Sequence, residues 1–300
     1  MTDIKRVGVV GCGLMGAGIA EVCARADVPV TVVERDAEAA RAGRLRITRS
    51  LDRAAGSGRI DAGRRDTAAA LITVVDEIEA LHDRDLVIEA VAEDERLKVD
   101  VFSRLDSVIT DDRTILATNT SSIPVIRLAA ATTRPDRVVG VHFFNPVPVL
   151  RLVELVPSLL TSPTTTERAE RFVTGTLGKE VVRTRDKAGF VVNALLVPYL
   201  LAAIRMVESG SATVEDVDRG MVLGCAHPLG PLALTDLIGL DTTRAIAESL
   251  YAEFREPQYS PPPLLSRMVE AGLLGRKSGR GFHVYDEQER PEVPVPARRS

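Results

Sequence analysis

The chain has 300 residues and a formal net charge of -4 at pH 7. Hydrophobic residues make up 45% and charged residues 27%, and the mean hydropathy is +0.07, a globular composition that excludes disordered, collagen-like and disulfide-rich chains. The length favours two domains, and the lack of positive net charge argues against nucleic acid as a partner.

The number and spacing of the cysteines indicate whether the chain has a metal site and in which compartment it works. Cys12, Cys23 and Cys225 lack the paired spacing of a metal or redox motif. We therefore expect no metal site and a reducing, cytoplasmic location. The N-terminus carries no secretory pattern, and the longest apolar stretch, residues 190–204, is shorter than the roughly 18 residues of a membrane span. No membrane association is predicted.

The first half of the chain alternates short β-branched runs with longer helical patterns. This rhythm predicts parallel strands joined by crossover helices, and the mostly apolar runs indicate strands covered on both faces. We predict a doubly wound α/β domain over residues 1–185. The predicted strands cover residues 4–10, 29–33, 86–89, 114–117 and 138–143, and the helices include residues 15–25 and 37–55.

Strand signals stop after about residue 185, and the remaining sequence predicts an all-α second domain over residues 186–288. The charged step Arg185-Asp186-Lys187 marks the boundary. The final residues, 289–300, contain three prolines and few large apolar groups, which predicts a frayed tail. The predicted helices cover residues 190–208, 213–223, 231–238, 241–254 and 263–271.

A glycine-rich loop follows the first predicted strand and opens a helix, the context that gives a G-x-G-x-x-G match meaning. Gly11 permits a tight turn, Gly13 lets a pyrophosphate approach the backbone, and Gly16 lets the helix pack closely. The phosphates would bind amide groups at the helix N-terminus, where Leu14 and Met15 lie. The loop therefore predicts a bound dinucleotide.

The second predicted strand ends close to Glu34, whose carboxylate can accept hydrogen bonds from both hydroxyls of the adenosine ribose. The same carboxylate would repel a 2′-phosphate, which favours NAD over NADP as the cofactor. The neighbouring Arg35 leaves NADP open, since a guanidinium there could pair with the extra phosphate.

His142 and Glu154 carry the chemistry that the sequence predicts. His142 lies at the C-terminal end of the fifth predicted strand, at the sheet edge where ligands bind, and a carboxylate 12 residues later can return to hold its ring. Such a pair makes a general base, because the carboxylate fixes the tautomer and stabilises the imidazolium. Taken alone, the pair is equally compatible with a core histidine and an ordinary strand glutamate.

Together these motifs make the sequence resemble the L-3-hydroxyacyl-CoA dehydrogenase family, most closely its short-chain 3-hydroxybutyryl-CoA dehydrogenases. The resemblance covers nearly the whole chain and implies a Rossmann domain followed by an all-helical domain that forms a homodimer interface. It rests on residues 11–16, Asn119-Thr120-Ser121-Ser122, residues 142–148 and 152–156, Gly189-Phe190-Val191-Val192-Asn193, residues 227–232 and Lys277-Ser278-Gly279-Arg280-Gly281-Phe282.

The resemblance implies roles at the reacting centre. His142 matches the general acid/base and Glu154 its orienting partner. Ser121 and Asn193 match polar groups that hold the reacting oxygen and the acyl chain, and a hydroxyl and an amide can do so without adding charge.

Other matched positions imply contacts with the cofactor and the substrate. Glu93, Lys98 and Asn119 match cofactor contacts, although Glu93 and Lys98 could also be a surface ion pair. Asn145 matches a substrate-channel position or caps the turn before Pro146. Relatives commonly carry lysines for the CoA phosphates where this chain has arginines, and Arg59 is our candidate for that contact.

The implied activity is reversible, NAD-dependent oxidation of a short-chain L-3-hydroxyacyl-CoA to the 3-ketoacyl-CoA. Two alternatives stay open. The substrate could be a hydroxyacyl group on a carrier protein or another short hydroxy acid, or the chain could be an NAD-binding protein without catalysis. Intact Ser121, His142, Glu154 and Asn193 argue against the last.

Overall fold

The computed structural model describes residues 3–286, and the predicted tail of residues 289–300 lies outside this range. Two compact units divide between Phe190 and Val191, close in sequence to the predicted boundary at residues 185 and 186. In the part of the chain described, no helix is long and apolar enough to cross a membrane.

Eight strands form one sheet in the first unit: β1 (Val7–Val10), β2 (Val30–Val33), β3 (Ile72–Val75), β4 (Leu86–Glu89), β5 (Ile115–Thr118), β6 (Val138–Phe143), β7 (Leu152–Pro157) and β8 (Glu180–Arg183). Their spatial order is β3-β2-β1-β4-β5-β6-β7-β8. Strands β1 to β6 are parallel, whereas β7 is antiparallel to β6 and parallel to β8. The predicted doubly wound fold is confirmed, with an antiparallel step that the sequence did not indicate.

Three of these strands, β3, β7 and β8, are absent from the predicted set. Strands β3 and β8 lie at the two edges of the sheet, where exposed positions interrupt the apolar run. Strand β7 buries a carboxylate, Glu154, in its middle. A prediction based on apolar runs fails at sheet edges and where a buried polar group breaks the run.

Helices cover both faces of the sheet: α1 (Leu14–Arg25), α2 (Ala37–Gly56), α3 (Ala62–Ala70), α4 (Glu95–Val108), α5 (Val125–Ala129) and α6 (Pro163–Arg171). One buried cluster includes Ile19 of α1 and Leu51 of α2, and the other includes Phe102 and Leu105 of α4. The chain proceeds from β1 outward to β3 and then returns to β4 on the other side of β1. A ligand crevice is therefore expected at the carboxyl ends of β1 and β4.

The helix starts differ in a way that matters for this crevice. Helices α2, α3 and α4 are preceded by the N-cap residues Asp36, Asp61 and Asp94, and each of these side chains accepts a backbone N–H of the first turn. Helix α1 has Gly13 as its N-cap residue, with neither a side-chain cap nor an acidic residue in its first turn. Its N-terminal amides therefore remain available to an anion.

The second unit is helical over its described residues: α7 (Val192–Glu208), α8 (Val214–Cys225), α9 (Pro231–Ile238), α10 (Leu240–Phe254) and α11 (Pro263–Glu270). These segments match the five predicted helices, with ends that differ by a few residues. Helix α9 starts where the buried Asp218 accepts the amides of Leu232 and Ala233, at 2.7 and 2.9 Å.

A second buried aspartate explains the glycine-rich motif near residue 280. Asp236 accepts the backbone amides of Phe282 and His283 and the hydroxyl of Tyr285, each at 2.9 Å. A Cβ at Gly281 would lie 1.9 Å from Asp236 Oδ1, so the close approach requires glycine. The motif folds this segment onto α9.

Candidate active site

The glycine-rich loop has the geometry of a dinucleotide-binding turn. Gly11 adopts a φ of +90°, and a Cβ at Gly16 would meet the Gly11 carbonyl oxygen at 1.9 Å. Apart from atoms of Gly13 itself and of the adjoining backbone, no described atom lies within 4 Å of a Cβ placed on Gly13, so the backbone is open to a ligand there. Together with the uncapped amides at the start of α1, at Leu14 and Met15, the loop fits a pyrophosphate.

Glu34 follows the last residue of β2 and lies beside this loop. Its carboxylate accepts the amide of Cys12 at 2.6 Å and remains half-buried. The guanidinium of Arg35 pairs with Asp36 at 3.1 Å and is largely exposed. Glu34 is thus placed to accept ribose hydroxyls, and Arg35 is engaged with a carboxylate, which supports NAD over NADP.

Cys12 is a buried side chain of the loop that packs against α2. Its side chain is fully buried, and a Cβ on Gly43 of α2 would lie 2.8 Å from its Sγ. Burial, followed by the nearby carboxylate of Glu34, raises the pKa of the Cys12 thiol to about 12. The thiol therefore stays protonated and unreactive at neutral pH.

Lys98 lies inside the protein, not on the surface. Its side chain is 1% exposed, and its Nζ donates to Glu89 Oε1 at 2.6 Å and lies 3.3 Å from Glu93 Oε2. The predicted alternative of a surface ion pair is corrected for one partner: the pair exists, and Lys98 is buried, whereas Glu93 keeps 37% of its side chain exposed. The ammonium of Lys98 lies between two carboxylates and holds Glu89 and Glu93 in place. A direct contact between Lys98 and the cofactor stays a prediction.

Glu93 organises the loop that carries Ser121. Its Oε1 accepts the Thr120 hydroxyl at 2.6 Å, the Ser121 amide at 2.8 Å and the Ser122 amide at 3.1 Å, and the two serine hydroxyls lie within 3.2 Å. Burial raises the pKa of Glu93, but Lys98 and these hydrogen bonds outweigh it and hold the pKa below its ordinary value.

Asn119 joins this loop to the strand that carries the histidine. Its amide proton is accepted by the Glu89 carbonyl at 2.8 Å, and its side-chain oxygen accepts the Phe143 amide at 2.9 Å. The end of β6 is thereby fixed relative to β5, next to His142.

His142 and Glu154 form the buried pair that the sequence predicted. The two residues face each other directly in the antiparallel register of β6 and β7. His142 Nδ1 lies 2.8 Å from Glu154 Oε2, with the histidine side chain 8% exposed and the glutamate fully buried. The rings of Phe144 and Phe190 lie 4.5 and 5.5 Å from the imidazole. This contact leaves Nε2 as the nitrogen that can exchange a proton.

The remaining predicted residues are spread over the chain. Asn145 is exposed in the β6–β7 loop, precedes a cis peptide bond to Pro146 and makes no side-chain hydrogen bond with a described residue. Arg59 is exposed in the turn after α2. Asn193 is half-buried in the first turn of α7, in the second unit. The first unit thus brings together Ser121, Glu93, Asn119 and His142, and Asn193 is presented by another unit.

Sequence reasoning missed Glu89, a central residue of this arrangement. It is fully buried, and it accepts the Val91 amide and the Thr118 hydroxyl, each at 2.7 Å, as well as the Lys98 ammonium. The available signal was a carboxylate that directly ends an apolar strand, Leu86-Val87-Ile88-Glu89. A carboxylate at the carboxyl end of a parallel strand indicates a position at the ligand crevice.

Family models match both units of the chain. Residues 6–187 match the model described as 3-hydroxyacyl-CoA dehydrogenase, NAD binding domain. Residues 189–285 match the model of the C-terminal domain of 3-hydroxyacyl-CoA dehydrogenase.

Individual relatives agree with these models. The 3-hydroxybutyryl-CoA dehydrogenase of Mycobacterium tuberculosis (strain ATCC 25618 / H37Rv) is 59% identical over 95% of this chain and 100% of the relative. The mitochondrial hydroxyacyl-coenzyme A dehydrogenase of Rattus norvegicus is 42% identical, and the match covers 94% of this chain and 91% of the length of the rat protein. The crystal structure of (S)-3-hydroxybutyryl-CoA dehydrogenase from Ralstonia eutropha superposes with a TM-score of 0.89 at 44% identity, covering 95% of this chain and 100% of that one.

Proposed function

This chain belongs to the 3-hydroxyacyl-CoA dehydrogenase family, and on that premise we propose that it oxidises short-chain L-3-hydroxyacyl-CoA esters, chiefly 3-hydroxybutyryl-CoA, to 3-ketoacyl-CoA with NAD. The observation that carries the proposal is the buried His142–Glu154 pair, 2.8 Å apart at the carboxyl edge of the sheet. The printed names of the relatives above supply the acyl-CoA substrate class.

The residues that would hold NAD follow from the geometry of the crevice. The pyrophosphate would bind at Gly11, Gly13 and Gly16 and at the amides of Leu14 and Met15, and Glu34 would accept the adenosine ribose hydroxyls. Glu93 and Asn119 lie on the other side of β1 and would face the nicotinamide half. When bound, NAD accepts the hydrogen and the electron pair that leave the substrate carbon.

His142 would remove the proton of the substrate hydroxyl. Nε2 accepts this proton, and the Nδ1–H bond to Glu154 fixes the tautomer in which Nε2 is free to do so. Glu154 then stabilises the imidazolium, since it is a fully buried carboxylate in direct contact with the ring. In the reverse direction the imidazolium returns the proton to the developing alkoxide.

Ser121 and Asn193 would hold the reacting oxygen and the acyl chain by hydrogen bonds. In the structure the Ser121 hydroxyl donates to Glu93, 3.2 Å away. To hold the reacting oxygen it would rotate and donate to that oxygen instead, because the substrate's own proton goes to His142. Asn145 would line the substrate channel, which is supported by its exposed amide in the loop after His142. The exposed guanidinium of Arg59 is our candidate for a CoA phosphate.

The proposal is tested by the appearance of NADH absorbance with purified protein, L-3-hydroxybutyryl-CoA and NAD. We expect rapid reduction of NAD, much slower reduction of NADP, and no turnover of free L-3-hydroxybutyrate. Turnover of a carrier-protein thioester or of the free acid in place of the CoA ester would contradict the substrate assignment. NAD binding without turnover of any of these compounds would point to a protein without catalysis.

We also propose that the chain forms a homodimer through its second unit. Support comes from large apolar side chains that this unit leaves exposed on separate helices, among them Leu195, Leu223 and Leu237. Light scattering at micromolar concentration should give the mass of two chains. A monomer under these conditions would contradict the assembly without touching the catalytic proposal.

A further inference from the structure

Two carboxylates and one ammonium form a charged cluster beside the predicted nicotinamide position. We define this Glu89 cluster as Glu89, Lys98 and Glu93. Glu89 and Lys98 are buried and in direct contact, whereas Glu93 lies 3.3 Å from the ammonium and keeps 37% of its side chain exposed. With all three groups ionised, the cluster carries one net negative charge, which lies on the crevice side at Glu93.

In the part of the chain described, no ion pair joins either carboxylate of the cluster to a cation other than Lys98. Nearby on the surface, Glu95 forms an ion pair with Arg127. That pair has no net charge. Asp94 caps α4 and adds a further negative charge. The hydroxyl and amide groups on Glu93 Oε1 are neutral donors, which stabilise the carboxylate without removing its charge.

The sheet topology assigns the two ends of the dinucleotide. Glu34 fixes the adenosine end at β2, and the glycine loop after β1 fixes the pyrophosphate. A dinucleotide that crosses the crevice must then place its other half beyond β1, at the carboxyl ends of β4 and β5. The Glu89 cluster and Asn119 lie at those ends.

The two forms of the cofactor differ there by one charge, because the oxidised nicotinamide ring is a cation and the reduced ring is neutral. We propose that the Glu89 cluster shifts the relative affinity of the protein toward oxidised NAD and away from NADH. A fixed negative charge attracts the oxidised ring and has no comparable interaction with the reduced one. The inference rests on the proposed function only for the identity of the cofactor.

A purely geometric role for Glu93 makes a different prediction. Glu93 also shapes the Thr120–Ser122 loop through its hydrogen bonds. Loosening that loop would weaken the binding of both cofactor forms by the same factor. The ratio of the two dissociation constants therefore isolates the charge from the geometry.

The test is the dissociation constant of NAD and of NADH, measured separately by isothermal titration calorimetry without substrate. Glu93→Gln keeps the shape of the side chain and removes its charge. We expect the ratio of the NAD constant to the NADH constant to rise about threefold to tenfold in this variant, as expected for a partly screened charge. Glu95→Gln removes one charge from the same helix at the surface and should leave the ratio unchanged.

An unchanged ratio in Glu93→Gln overturns the proposal, whether or not both affinities fall. An equal rise in Glu95→Gln also overturns it, because the effect would then be general. Should circular dichroism show that Glu93→Gln is unfolded, Glu89→Gln removes the same charge from the cluster and must raise the ratio in the same direction. The two proposals can fail separately, because these titrations contain no substrate. If the protein did not oxidise the CoA ester, the proposed reaction would be wrong, but the measured ratio of the NAD and NADH constants would still test the role of the cluster.

Discussion

The orientation of the His142 ring is set by the residue that lies opposite it on the neighbouring strand. The antiparallel pairing of β6 and β7 sets it directly opposite Glu154, and the aromatic rings of Phe144 and Phe190 enclose the imidazole. His142→Gln keeps a polar side chain of similar reach but removes the proton acceptor. We expect kcat to fall by about 10² to 10⁴, the usual contribution of a general base, while the dissociation constant of NAD changes little.

The matched control is His82→Gln, the same substitution at an exposed histidine of the same unit. Steady-state kinetics of this control should equal those of the wild type. A His142→Gln enzyme with wild-type kcat would show that another group removes the proton.

Burial at the residue scale also decides which thiols react. Cys12 and Cys23 are buried, and burial raises the pKa of each thiol to about 12, whereas Cys225 is exposed. In a Cys225→Ser background we therefore expect no labelling by a disulfide reagent at pH 8 until the protein is unfolded. Adding Cys12→Ser should change nothing in the folded state. Fast labelling that disappears with Cys12→Ser would mean that the glycine loop opens.

At the scale of elements, the connection between β6 and β7 is held by a buried lysine. Lys179 lies ahead of β8, and its Nζ donates to the carbonyls of Val147 and Leu150 at 2.8 and 2.7 Å. Burial, and then the charge of Arg25, lower the pKa of Lys179. The lysine thus anchors the loop that joins the two strands of the His142–Glu154 pair.

Lys179→Met should leave both carbonyls without their donor and let this loop move. We expect the free energy of unfolding to fall by about 2 to 4 kcal/mol, and kcat to fall more than the KM changes, because the pair loses its fixed geometry. Chemical denaturation and steady-state kinetics measure both effects. Lys5→Met, at an exposed lysine, is the control, and equal losses in the two variants would contradict the role of Lys179.

The elements that could be predicted are those whose signal is local. The central strands are continuous apolar runs, and the glycine loop and His142 lie in short motifs that directly follow such strands. The burial of Glu89, Lys98 and Lys179 was not predicted, because a charged residue in sequence gives no sign of burial, which depends on partners distant along the chain. The pairing of His142 with Glu154 was predictable because only 12 residues separate them, although the antiparallel direction of the return was not.

At the scale of the whole molecule, a group of carboxylates in the first unit is expected to make the protein sensitive to acid. Five of its carboxylates, those of Asp3, Asp36, Asp83, Glu93 and Asp106, have a pKa below the ordinary value. For Asp106, burial raises the pKa, but the Thr133 amide and the Arg134 guanidinium lower it more. Their stabilisation is present above the ordinary values of 3.8 to 4.5 and is lost as the pH falls through the lowered ones.

The Tm should therefore change little between pH 7 and pH 5 on account of these groups and fall steeply below about pH 4, where they take up protons. Asp106→Asn lowers the Tm at neutral pH but should flatten the acid slope, because the amide does not titrate. Asp100→Asn, at an exposed position of the same helix, should keep the wild-type slope. Circular dichroism melts from pH 3 to pH 7 measure the three curves. Parallel curves for Asp106→Asn and the wild type would mean that the acid transition originates elsewhere in the molecule.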